Sequence, residues 1–151
     1  MATSSALKTL VELATTETDA AALRLGAAIR HEMESVKKRL MLSEYRDDYS
    51  VRFQASMAIG LSAAEHRNFQ QFMDKLETAI RGQDEIVEQA RHKITQERSA
   101  WQAGERKRMS FSTLVKRATT AATLREGRRD QKQTDELASR NASRKQTHKQ
   151  F

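Results

Sequence analysis

Apolar residues in this chain recur at alternating intervals of three and four. The longest run is Met73, Leu76, Ile80, Gln83, Val87, Ala90, Ile94, Glu97, Trp101, Gly104, Arg108, Phe111, Val115, Ala118 and Ala122. Eleven of these fifteen are apolar, and the residues between them are mostly charged or polar. A repeat averaging 3.5 residues winds one helix left-handedly around another. Fifty residues of helix span roughly 75 Å, far more than a globular core needs. The pattern therefore predicts a long coiled coil and a second helix to pair with.

The first half of the chain supplies that helix. Leu7, Leu10, Val11 and Ala14 open an apolar stripe. Ala22, Leu25, Ile29, Met33, Val36 and Leu40 continue it on one face at about 100° per residue. Leu42, Tyr45, Tyr49 and Phe53 form a second apolar set, centred almost opposite the first because the step from Leu40 to Leu42 is about 200°. Two opposed apolar faces ask for two partners, or for a change in what the helix packs against. The periodicity breaks between Ala55 and Ser62. Gly60 suits a helix end, and Ser62 followed by Glu65 is a capping-box pattern that starts the next helix.

A fold at residue 60 pairs positions whose numbers sum to about 120. Ile29 then meets Ala90 and Ile94, and Leu7 meets Phe111 and Val115. The expected fold is all-α, a long two-helix antiparallel coiled-coil hairpin over residues 1–140. Helix one should run from about 6 to 57, the turn over about 58–62, and helix two from about 63 to 127 or slightly beyond. Residues 141–151, with almost no apolar side chains, are expected to be a disordered polar tail. Gly26, Gly82 and Gly104 fall inside the helices and should soften them locally.

Composition narrows the class. The 151 residues contain no Pro, so nothing sharply breaks a helix. They contain no Cys, so disulfides and thiolate metal sites are excluded. The opening residues, with Glu12, Glu17 and Asp19, lack the apolar run of a signal peptide, and nowhere do 18 apolar residues stand in a row. A cytoplasmic location is the expectation. The net charge of +7 lies in the last third: residues 104–151 hold thirteen basic and five acidic groups, whereas residues 1–60 hold eight of each. Such an end could meet nucleic acid, an anionic membrane or an acidic protein surface.

No enzyme chemistry stands out. His31, His66, His92 and His148 are dispersed without metal-ligand spacing, and there is no Gly-rich phosphate loop or nucleophile motif. A two-helix coil also builds no concave dry pocket. The expectation is a protein with no catalytic residues, cofactor or metal. Trp101 occupies a seam position and suits a large core side chain. Hairpin pairing sets Leu42, Tyr45 and Tyr49 level with Phe72, Leu76 and Ala79, an apolar, aromatic patch partly outside the seam, of the kind that marks an interaction site. The basic segments Arg106-Lys107-Arg108 and Arg125 to Lys132 can be solvated helix faces. Asp130, Asp135 and Glu136 interrupt the second, and no aromatic residues interleave it for base stacking, which weakens a nucleic-acid reading. A basic nucleic-acid-binding or scaffold coiled coil stays as the alternative.

Several segments together resemble the FliJ family, the soluble coiled-coil component of the flagellar type III export apparatus. They are Leu7, Leu10, Leu13, Ala14, Glu17, Ala21, Ala22 and Leu25; Tyr45 with Tyr49; Gln70-Gln71-Phe72; Leu76-Glu77-Thr78-Ala79-Ile80; Trp101; and Arg129-Asp130-Gln131-Lys132 followed by Asp135-Glu136-Leu137-Ala138 and Arg140. The glycines at 82 and 104 and the longer polar tail depart from the family pattern. The resemblance implies a stalk-like hairpin that binds the export ATPase FliI, the export gate protein FlhA and export chaperones, with no nucleic acid. It implies a location at the cytoplasmic face of the inner membrane, at the flagellar base, held there through partners. It further implies a gate-binding patch of Leu42, Tyr45, Tyr49, Phe72, Leu76 and Ala79. The ATPase-binding end would comprise Leu10, Leu13, Arg128, Arg129, Asp130, Gln131, Lys132, Asp135 and Glu136.

Overall fold

A chain with no proline and a sustained 3.5-residue repeat folds as two helices, and a computed structural model describes them over residues 2–150. Helix α1 spans Ala2–Ile59 and helix α2 spans Ala63–His148, 58 and 86 residues respectively. Gly60 ends α1 with a φ of 108°, a conformation that costs glycine least. Its N–H still donates to the Ser56 carbonyl at 3.0 Å. Ser62 then caps α2: its Oγ accepts from the Glu65 N–H at 3.2 Å, and its carbonyl accepts from the His66 N–H at 3.0 Å.

Two compact units divide the hairpin. One comprises residues 17–104 and the other residues 1–16 with 105–151. Within the first, the helices pair in the register that a fold at residue 60 predicts. Residue 39 meets 84, 24 meets 97, 35 meets 83 and 49 meets both 69 and 72. Each pair sums to about 120.

The seam on α2 follows the heptads read from the sequence. Of the fifteen positions from Met73 to Ala122, only Ala122 is exposed. On α1 the seam is not the one expected. Ile29, Met33, Val36 and Leu40 are exposed, Met33 by 63%, and Ala22 is exposed with them. The covered positions are Leu7, Val11, Ala14, Thr18, Ala21, Leu25, Ala28, Glu32 and Ser35, then Leu42, Arg46, Tyr49, Phe53 and Ser56. These also step by fours and threes, with Arg39 filling the gap. The two apolar sets of α1 are thus one continuous seam through Leu42, Tyr49 and Phe53, and one separate row beside it.

The physical reason is size. Ala14, Thr18, Ala21 and Ser35 are 2–3% exposed because their short side chains are wholly covered in the seam. Within residues 17–104 the volume opposite them comes from α2, through Ile80, Val87, Ile94 and Trp101. Gly104 shows the limit of this approach, since a Cβ there would lie 2.8 Å from Thr18 Oγ1. Polar groups cross the same seam: the Gln83 side-chain amide donates to the Ser35 carbonyl at 3.0 Å.

A second point is the end of α2. The sequence predicts a helix to about 127 or slightly beyond and a disordered tail from 141; α2 runs to His148, with every residue from Ala122 to Gln150 exposed. No proline interrupts it, and Arg, Lys, Gln, Glu and Ala are all good helix formers. The start of α1 likewise lies at Ala2 rather than near residue 6.

Candidate functional site

The register brings together aromatic rings that sequence spacing only half reveals. Tyr45 and Tyr49 lie one turn apart on α1, with ring centroids 6.5 Å apart. Phe72 on α2 meets both, at 6.2 Å from Tyr45 and 4.5 Å from Tyr49. Phe69 stacks on Tyr49 at 4.5 Å and on Phe53 at 3.7 Å, and Phe53 in turn lies 5.3 Å from the ring of His66. Such pairs contribute about 0.5–1.5 kcal/mol each beyond the area they bury. The result is a ladder of rings beside the turn. It is half covered by the helices and half open to solvent.

The six patch residues predicted from the sequence are not equivalent. Tyr45 is 54% exposed and Ala79 is exposed, while Leu42, Tyr49 and Phe72 are half-buried. Leu76 is buried in the seam and offers little to a partner. Phe53, Phe69 and His66 join the cluster although they lie outside the predicted set. The sequence does carry a signal for two of them: Phe69 is three residues before Phe72, and Phe53 four after Tyr49. Next to the rings, an open groove of about 270 Å³ is lined by Arg52, Leu61, Glu65 and Asn68, among others.

The second set of predicted residues separates into two places within the unit of residues 1–16 and 105–151. Leu10 and Leu13 are 39% and 57% exposed on α1. Arg128, Arg129, Asp130, Gln131, Lys132, Asp135 and Glu136 are all exposed on α2.

Charge is managed along the middle of the hairpin. Glu97 is the acid buried in the seam, and it accepts from Arg24 Nε at 3.1 Å and lies 3.1 Å from Lys93 Nζ. Its hydrogen bonds to Lys93 and Arg24 hold its carboxyl below the usual carboxylate range, against the opposing effect of desolvation. Arg39 pairs with Asp84 at 2.6 Å and Arg91 with Glu32 at 3.5 Å, both between the helices. Among the described residues no cluster of three or more His, Cys, Asp or Glu could hold a metal ion. No helix of these residues is long and apolar enough to cross a membrane.

Together these features define an antiparallel helical hairpin distinguished by an aromatic surface beside its turn and a basic, exposed helical extension. The family model for the flagellar FliJ protein matches residues 3–147. A flagellar FliJ protein of Escherichia coli (strain K12) is 34% identical over 145 residues, covering 96% of this chain and 99% of that protein. One of Salmonella typhi is 35% identical over the same shares. The chain belongs to the flagellar FliJ family, and with it to the components of flagellar protein export.

Proposed function

We propose that this hairpin is a non-catalytic, stalk-like link in the flagellar export apparatus, joining the export ATPase FliI to the export gate FlhA and handling export chaperones. The observation that carries the reading is the contrast between two surfaces, within a chain that belongs to the FliJ family. One surface presents half-open aromatic rings on a rigid pair of helices, the composition of a protein-binding hot spot. The other is an exposed basic helix that offers charge and little else. In this reading Tyr45, Tyr49 and Phe72, with Leu42 and Ala79 at their edge, dock on the gate. Leu10, Leu13 and the segment from Arg128 to Glu136 meet the ATPase. The protein works at the cytoplasmic face of the membrane, held there by its partners.

Tyr45 gives the sharpest test, because it is the most open of the rings. Tyr45→Ala should leave the melting temperature within a few degrees of the parent. Capture on the gate's cytoplasmic domain should weaken by about thirtyfold, the equivalent of about 2 kcal/mol at a hot spot. Unchanged capture removes the gate from the proposal. Reversing the charge of Arg128, Arg129 and Lys132 should weaken ATPase capture alone, and most at low salt.

A further inference from the structure

Beside the seam, α1 carries a second apolar row that the hairpin leaves partly open. Ala22, Ile29, Met33, Val36 and Leu40 follow one another at intervals of seven, four, three and four, which is again a heptad spacing. All five are exposed, Met33 by 63% and Leu40 by 55%. The row is rotated roughly 100° from the seam, toward the flank opposite Tyr45. There the two helices form a groove of about 390 Å³, lined by Val36, Arg39, Val87, Asp84, Glu88 and Arg91. Val36 belongs to both the row and the groove.

We propose that this flank receives a third helix, from a partner protein, apolar along one face and acidic along the edge that meets Arg30 and Lys37. The spacing selects a helix, since an extended segment would ask for apolar positions at every second residue. Charge selects its edge. Arg30 and Lys37 stand exposed on the outer side of the row, one heptad apart, where they face the flanking positions of an added helix. On the inner side, Arg39 and Glu32 are already paired with Asp84 and Arg91 across the hairpin. A second copy of this chain fits less well. The antiparallel register that sets Met33 on Val36 brings Arg30 of each copy against Lys37 of the other. Edge charges of this kind set partner choice and orientation in coiled coils.

The test uses the full chain and two fluorescent amphipathic peptides of about three heptads, both with Leu at three-four spacing. One has Glu along its edges and the other Lys. The Glu-edged peptide should bind at least about tenfold more tightly. Arg30→Glu with Lys37→Glu should reverse that preference. Met33→Ser with Leu40→Ser should abolish binding and leave the melting temperature unchanged, because both side chains are already solvated. Tyr45→Ala, on the other flank, should leave it intact. Equal binding of the two peptides, or binding indifferent to Met33→Ser with Leu40→Ser, overturns the proposal. So does sedimentation of the unmixed chain as a dimer that Met33→Ser with Leu40→Ser dissolves, which would give the flank to a second copy.

Discussion

The same two helices are joined in opposite ways within residues 17–104. Beside the turn, Tyr49, Phe53, Phe69 and Phe72 fill the space between them with rings whose centroids lie 3.7–4.5 Å apart. Further along, Thr18, Ala21, Ala28 and Ser35 reduce α1 to little more than backbone, and the seam closes until Gly104 has room for no Cβ beside Thr18. Large rings leave part of themselves outside; small residues leave nothing. The aromatic side chains can therefore stabilise the pair and still offer a surface, while the small seam residues themselves can only pack. That contrast explains why the candidate docking surface lies near the turn.

The largest effect is expected among the rings. Phe69 stacks on both Tyr49 and Phe53 and links the ladder across the helices. We expect Phe69→Ala to cost about 2–3 kcal/mol, below the roughly 3–5 kcal/mol of a fully buried ring because Phe69 is half-buried. Denaturant unfolding measures it. A cost under about 1 kcal/mol would mean that the rings decorate the hairpin without holding it.

How much of the fold is legible in the sequence follows the same contrast. The α2 seam is readable because its residues are large and spaced in heptads, and Gly60 and Ser62 mark the turn by their local chemistry. The α1 seam is hidden, because there apolar size is a poor sign of burial. Ile29, Met33 and Leu40 are larger than Ala21, Ala28 and Ser35, yet only the latter are in phase with Leu42, Tyr49 and Phe53. Phase continuity along the whole helix carries the information, and residue hydrophobicity does not. For the site, register alone places Tyr45 and Tyr49 opposite Phe72. The heptad run itself sets Leu76 in the seam, but neither it nor the register shows that Phe69 completes the stack. The helix beyond residue 140 escapes a compositional reading, because its polar residues suggest disorder although Arg, Lys, Gln and Ala among them favour helix.

A smaller effect tests the close approach. A Cβ added at Gly82 would meet nothing within 4 Å, so Gly82→Ala should gain the ordinary helix-propensity benefit of about 0.5–1 kcal/mol. Gly104→Ala meets Thr18 Oγ1 at 2.8 Å and the Thr18 Cα at 3.4 Å. There the gain should be cancelled or reversed, leaving the two variants about 1 kcal/mol or more apart. Adding Thr18→Ala should shrink the gap, because the clashing hydroxyl is gone. Equal responses at the two glycines would show that the helices stand further apart at Gly104 than this contact requires.

The smallest effect concerns charge in the closed stretch. Glu97 is the acid in that seam, and Lys93 and Arg24 lower its pKa from an ordinary value of 4.5. A carboxylate with a lowered folded-state pKa stabilises the fold above its unfolded value. That contribution is lost as pH falls from there through the folded value. Stability should therefore decline on acidification below about pH 4.5 more steeply in the parent than in Glu97→Gln, which keeps the shape but not the charge. Urea midpoints of the two proteins should differ at neutral pH and converge as Glu97 becomes protonated. Arg24 is 55% exposed on its side chain, so solvent screens part of the attraction and the gap should be modest. A gap that stays constant with pH would assign the effect of the substitution to shape and hydrogen bonding. The ion pair would then have no measurable part in holding the small-residue stretch together.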